Sequence, residues 1–365
     1  MSNKDCNRRN IFNYLLQWDN SAPVPKMQIF STALGMALPI IFGALIGHVE
    51  IGFIVALGGL FIPPPNDNDP LKVEVLNYVQ VIFTGFIAIS LGASIGNNHS
   101  LLASIFLVFI NGFVSLVGGI NRTLAVNSVR FTIFFIIGTG ISLPTQVNPF
   151  IIGLLFSLGS IWAAFISLFF SISYLFFMKQ KKSSQSLSNN DSNADFPTQF
   201  RYWLFRLKKF QTWFYTIRLV LCLSIAQVIQ LLSENPHAYW ISLTIVLVLQ
   251  RNTSSGPSRI YQRAVGTFFG VLIGGIVLIF PLSILWIIVI VALIGGVRSY
   301  LKVRNYAVYS MVMTPLLFIL LSRGKQISFD LIIDRLMYTF VGCTITLVFG
   351  YYIWTGVEKQ KLVKK

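Results

Sequence analysis

Apolar runs long enough to cross a lipid bilayer recur from about residue 27 almost to the end of this 365-residue chain. Lipid offers no partners to backbone N–H and C=O groups, so each run must satisfy its own polar groups as a helix. The period-two alternation of an outer-membrane barrel is absent. The sequence therefore predicts an all-α integral membrane protein, and a composition of 55% hydrophobic and 11% charged residues agrees.

Residues 1–26 form a polar, cytoplasmic N-terminal segment whose amphipathic piece, Ile11 to Trp18, is expected on the membrane surface. No cleavable signal is evident, so the first run should be retained as a helix. Apolar runs follow near 27–46, 51–62, 75–95, 101–117, 126–141 and 150–178, the second stopped by Pro63, Pro64 and Pro65. Residues 179–213 read as a cytoplasmic linker, first Ser/Asn/Asp-rich and then a basic, aromatic interfacial helix. A second set lies near 215–232, 239–249, 264–280, 283–297, 306–321 and 331–354, and 356–365 is a charged cytoplasmic tail.

These runs predict about 12 transmembrane helices with no large soluble domain. Two landmarks recur in order: His48 and His237 after the first run of each set, and Gly118-Gly119 and Gly295-Gly296 at the end of the fourth. They point to an internal duplication, with residues 27–178 and 214–355 as parallel six-helix repeats. The net charge of +16 is concentrated beside alternate helix ends, which encodes orientation and argues against a nucleic-acid partner. With both termini cytoplasmic, only Arg323 and Lys325 lie outside, and Arg335 stands near the outer end of the last helix.

The richest stretch is Tyr239 to Gly274, a helical hairpin with a basic turn. Arg251, Arg259 and Arg263, with Ser255 in the turn, are candidates for a substrate path; the simpler role is to enforce topology and hold lipid phosphates. Arg263 is the deepest. Tyr239 and Trp240 are expected as interface anchors, with stacking on an aromatic substrate as the alternative. Asp330, Asp334 and Arg335 are candidates for gating or coupling, against a local ion pair, and His237 for pH sensing. Gly266, Gly270 and Gly274 repeat at four-residue spacing and should bring their helix against one from the other half. The acidic turn with Asp67, Asp69 and Glu74 is expected to meet the basic turn as a charged gate. Cys6, Cys222 and Cys343 have no metal or redox spacing and read as free thiols. No metal cluster, cofactor motif, ATP-binding loop or catalytic constellation stands out, so the chain is expected not to be an enzyme.

Tyr239 to Gln250, followed by a polar turn and by Arg263 within Gln262 to Gly270, resembles the fusaric acid resistance and aromatic acid exporter superfamily. Asp334 to Gly342 is similar to that family's Arg-x-x-x-Thr-x-x-Gly helix, here Arg335, Thr339 and Gly342. The likeness covers roughly residues 212–356 and is architectural over the first half. It implies export of anionic aromatic compounds across a bacterial inner membrane, driven by the membrane potential or a proton gradient, and distant plant relatives of similar architecture are anion channels. Family members commonly carry a large soluble domain after each membrane half, for which the linker here is too short. The expected partners are the lipid bilayer, a small organic anion and, for an efflux assembly, a periplasmic adaptor. Both monomer and homodimer remain open, as do a passive anion channel and a noncatalytic efflux subunit.

Overall fold

The computed structural model describes residues 18, 26–64, 70–96, 100–141, 148–178, 196–233, 235–253, 256–279, 282–322 and 329–354. Among them every regular element is a helix. In chain order these are α1 (Lys26–Leu45), α2 (Val49–Gly59), α3 (Leu71–Gly96), α4 (Leu101–Val117), α5 (Arg122–Gly140), α6 (Pro149–Met178) and α7 (Phe196–Arg206). They continue as α8 (Phe210–Ser233), α9 (Tyr239–Val248), α10 (Gly256–Ile279), α11 (Ile284–Arg304), α12 (Tyr306–Ser322) and α13 (Phe329–Ile345). The last runs on as a π turn over Thr346–Tyr351 and a short 3₁₀ turn, Tyr352–Trp354.

Seven described helices, α1, α3, α5, α6, α8, α11 and α13, are long and apolar enough to cross a membrane, so the chain is a multi-pass membrane protein. Helices α2, α4, α9 and α12 are apolar but shorter. The fourth predicted run, 101–117, matches α4 because both ends are punctuated: the Ser100 hydroxyl accepts from the Ala103 N–H at 3.2 Å, and Gly118 follows the last turn. Other boundaries move. Helix α5 begins at Arg122, where the Asn121 side chain accepts from the Leu124 N–H at 2.8 Å, so Arg130 lies beyond its first turns. Helix α10 begins at Gly256, ahead of the apolar run, so Arg259 and Arg263 lie in its first turns. Helix α11 passes straight through Gly295-Gly296 to Arg304. The amphipathic piece at Ile11 is outside the described residues, apart from Trp18, whose ring meets Tyr300 at 6.2 Å.

The chain forms two compact units. The first comprises residues 1–87, 150–189 and 265–332. In it α1 packs on α2 and α11, and α12 packs on α2 and α11. Small residues set these approaches. A Cβ at Gly52 would meet the Pro39 carbonyl and the Gly43 backbone, one at Gly58 would meet the Phe156 backbone of α6, and one at Gly296 would meet Ile29 of α1. Gly266, Gly270 and Gly274 of α10 lie against Ala307, Met311 and Pro315 of α12. The glycine row is thus a close-packing face, but its partner is two helices further along the same half, not in the other half as the sequence suggested. Each step of four on α10 meets a step of four on α12, so the two helices keep a common register over three contacts.

The second unit comprises residues 88–149, 190–264 and 333–365. Here α8 packs on α9 and α4, and α5 packs on α9 and α4. Gly92 on α3 lies against the Phe135 carbonyl of α5, and Gly342 on α13 against Ile241 and Thr244 of α9. Helix α9 is buried along nearly its whole length although it has only 10 residues. At 1.5 Å per residue it spans about 15 Å, half of a hydrocarbon core about 30 Å thick.

Candidate functional site

Short α9 leaves backbone groups at its carboxyl end that no further turn can satisfy. Two side chains take them. Tyr351, in the π turn after α13, accepts from the Gln250 N–H at 2.7 Å and donates to the Val248 carbonyl at 3.3 Å. Arg218 of α8 donates to the Gln250 carbonyl at 3.1 Å and to the Gly350 carbonyl at 3.2 Å. Its guanidinium lies 4.7 Å from the Phe214 ring centre and 5.4 Å from that of Tyr351. A cation at the negative end of a helix is favourable, and here it also holds the π turn against α9. Neither Arg218 nor Tyr351 was anticipated as functional, although an arginine between Ile217 and Leu219 in an apolar run was the available signal.

The opposite end of α9 carries the site. Trp240, 1% exposed, presents its ring to the Arg335 guanidinium of α13, with the guanidinium carbon 3.5 Å from the ring centre. Arg335 is itself 1% exposed, and Nε, Nη1 and Nη2 have no hydrogen-bond partner. Arg263, on α10, is 2% exposed, with Nε and Nη2 likewise unpartnered. The two cations are close enough to repel each other. Among the described residues neither is paired with a carboxylate. Thr244, one turn after Trp240, is fully buried with an unpartnered hydroxyl, and the Cys343 thiol stands 3.9 Å from the Ile260 carbonyl. Arg335, Thr339 and Cys343 follow at four-residue spacing, so α13 turns one face toward α9 and α10. Thr339 donates to the Arg335 carbonyl at 2.7 Å, which turns its hydroxyl along the helix.

Desolvating a charge costs several kcal/mol per ion unless a partner offsets it. The Trp240 ring supplies part of that offset for Arg335, about 2 kcal/mol for a desolvated cation–π pair. Much of the cost stands uncompensated among the described residues. Tyr239 and Trp240 are therefore not interface anchors: Tyr239 is 4% exposed and fills the space beside Gly140 of α5.

Asp334 does not form the expected local pair with Arg335. Its carboxylate turns away to His237 Nδ1 at 2.9 Å and accepts from Asn235 Nδ2 at 3.1 Å. Successive helix positions point about 100° apart, so one neighbour enters the interior while the other closes the α8–α9 turn. Asp330, one turn earlier, is exposed. Arg251 reaches toward α4 and α5. It donates to the Ser115 carbonyl at 2.8 Å and to Ser128 Oγ at 3.2 Å, and lies 4.4 Å from the Tyr215 ring centre. Burial pulls its pKa below the usual range, and Tyr215 acts in the other direction. Arg259 is half-buried in the first turn of α10, near enough to Tyr351 to act on it electrostatically. Ser255 lies outside the described residues, as do Asp67, Asp69, Glu234, Arg323 and Lys325. Glu74 is buried in α3 and accepts from Ser171 of α6 at 2.9 Å. Cys222 and Cys343 are free thiols, and no metal-binding cluster occurs among the described residues.

Fold and site define a multi-pass membrane protein, helical in every regular element of its described residues, in which Arg263 and Arg335 are buried without a carboxylate partner among those residues. Residues 221–349, from α8 to the π turn, match the fusaric acid resistance protein-like family. Among curated proteins the chain is similar to "Uncharacterized protein YhfK" of Escherichia coli (strain K12), 34% identical over 148 residues, or 39% of this chain and 20% of that one. It is similar also to "Inner membrane protein YccS" of the same organism, 33% identical over 147 residues, or 40% and 20%. "Uncharacterized protein ORF2" of Neisseria gonorrhoeae is 39% identical over 71 residues, or 19% and 16%. The match thus spans about a fifth of the length of the first two relatives. No solved structure matches the chain.

Proposed function

We propose that the protein moves a small organic anion, aromatic in character, outward across a bacterial inner membrane, and that Arg263, Arg335 and Trp240 form the site it passes. The observation that carries this reading is the pair of buried guanidinium groups with no carboxylate partner among the described residues. Charged residues inside a membrane protein mark ion and substrate paths, and a planar guanidinium against an indole face suits a carboxylate attached to a ring. The similarity to fusaric acid resistance-like proteins and to an inner membrane protein supports both the direction and the membrane. The reading requires no bond to be made or broken. Outward movement of a monoanion against an inside-negative potential releases about 2.3 kcal/mol per 100 mV, so no coupled ion is needed.

The same proposal treats the chain as about 12 spans in two parallel repeats, α1 to α6 and α8 to α13, with both termini and the basic linker on the cytoplasmic side. Its support is the matching of helix pairs. The first unit contains α1–α2, α1–α11, α2–α12 and α11–α12, and the second contains α8–α9, α8–α4, α9–α5 and α4–α5. Exchanging each helix for the one seven places along turns one set into the other. The short, largely buried helices α2 and α9 then occupy equivalent places, and paired short helices are where transporters built from repeats place their substrate. Glycine contacts follow the same rule, with α3 on α5 in one unit and α10 on α12 in the other.

The test is uptake of a panel of aromatic acids into inverted vesicles at controlled potential. Saturable, potential-dependent uptake that Arg263→Gln and Arg335→Gln each reduce about tenfold or more at subsaturating substrate, with both variants present in the membrane at normal level, is expected. Unchanged uptake in both variants would overturn the site, and large single-channel currents would replace the carrier by a channel.

A further inference from the structure

Between α4 and α8 of the second unit runs an open, apolar groove of about 600 Å³. Its floor is where the helices come closest: Ser115 and Thr216 share a hydrogen bond at 3.0 Å, and a Cβ at Gly112 would stand 2.8 Å from a Val220 methyl. Its lining runs from Leu101 to Leu116 on α4 and from Leu231 back to Trp213 on α8. At 1.5 Å per residue that is about 22–27 Å, most of the depth of a hydrocarbon core. Phe109 and Phe113 project from α4 and Val228 from α8, all exposed.

The two ends differ in charge. At one end Trp213 donates its indole N–H to the Leu207 carbonyl at 2.8 Å, and Thr212 donates to the Arg206 carbonyl at 2.8 Å. These bonds tie the end of the groove to the turn between α7 and α8, where Arg206, Lys208 and Lys209 are all exposed. At the other end the adjoining described residues, Ser100, Leu232 and Ser233, carry no charge. A greasy channel with a cationic collar at one end matches an acyl chain attached to a negatively charged phosphate.

We propose that this groove is a specific site for an anionic glycerophospholipid, with one acyl chain along α4 and α8 and the phosphate against Lys208, Lys209 and Arg206. A second copy of the chain is a poorer occupant. Pairing of this face with itself about an axis along the membrane normal would bring the two basic turns together, and like charges oppose that contact. Basic side chains near the surface favour anionic lipid by roughly fivefold each. The site stands apart from the guanidinium pair, so its test does not depend on transport.

The experiment is native mass spectrometry of the full chain in detergent with equal amounts of phosphatidylglycerol and phosphatidylcholine bearing the same acyl chains. The wild type is expected to retain phosphatidylglycerol at least fivefold over phosphatidylcholine. Lys208→Gln/Lys209→Gln should bring the ratio close to one, and Val228→Trp, which fills the groove, should lower retention of both lipids. Equal retention by the wild type, or a ratio unchanged by the lysine substitutions, overturns the proposal. So does a dimer that Val228→Trp dissociates, which would assign the groove to a second copy. The exposed lysine positions leave the fold intact, so the test holds even if the groove-filling variant misfolds.

Discussion

The Arg335 guanidinium rests on the face of Trp240, 3.5 Å from the centre of the ring, with both side chains buried. The contact joins α13 to α9 and supplies a partner that is neither a carboxylate nor a hydrogen-bond acceptor. Its strength comes from the ring quadrupole, which leaves the in-plane N–H groups of the guanidinium unspent.

Replacing Trp240 by Phe keeps an aromatic face but a weaker one and is expected to cost about 1 kcal/mol of stability. Trp240→Ala, which also leaves a cavity, should cost about 3 kcal/mol. Reversible unfolding in mixed micelles measures both. A Trp240→Phe loss that is unchanged when Arg335 is replaced by Met would mean that the guanidinium contributes nothing through the ring.

Arg263 and Arg335 are expected to act together on an anion. Arg263→Gln should weaken binding of an aromatic carboxylate about tenfold or more, the loss of one charge-assisted hydrogen bond of about 1.5–3 kcal/mol. It should also relieve the repulsion on Arg335 and raise the stability of the ligand-free protein. Calorimetric titration and thermal unfolding of the same sample separate the effects, and a variant that loses both affinity and stability would contradict the arrangement.

The glycine row on α10 predicts a graded series. A methyl group at Gly270 meets the Met311 carbonyl, whereas one at Gly275 comes no nearer than 3.4 Å to Ile332. Gly270→Ala should therefore destabilise the protein by about 1–3 kcal/mol, as overpacked sites do, and Gly275→Ala should be nearly neutral. Similar effects at both positions would mean that the α10–α12 approach is looser than described.

Asp334 should hold the α8–α9 turn through His237 and Asn235. Asp334→Asn is expected to raise amide exchange at residues 235–238 while leaving the glycine face of α10 unchanged. Exchange that rises first along α13 instead would assign the carboxylate to the helix interior.

The membrane class, the helical content and most spans were legible in the sequence, because uninterrupted apolar runs leave a chain few alternatives. The α4 limits were readable from Ser100 and Gly118. The start of α10 was only partly legible, since the apolar run opens near Ala264 whereas the helix begins at Gly256 and carries Arg259 and Arg263 in its first turns. Arg263 and Arg335 could each be singled out, but not together: they lie on different helices far apart in the chain, and no local pattern records their meeting. Trp240 was read as an interface residue because Tyr-Trp at the edge of an apolar run fits that setting equally well. The glycine spacing revealed a close approach but not its partner, as one side of a contact does not name the other.

The division of helices between the two units also sets an order on synthesis. Helices α1 and α2 are made before the linker, whereas α11 and α12, which complete their unit, are made after it. In the second unit α4 and α5 must wait for α8 and α9. Neither unit can close while the first half alone is in the membrane, so for much of translation the inserted helices present faces whose partners do not yet exist. A stop codon after the linker would leave both units unfinished, not one complete and one missing.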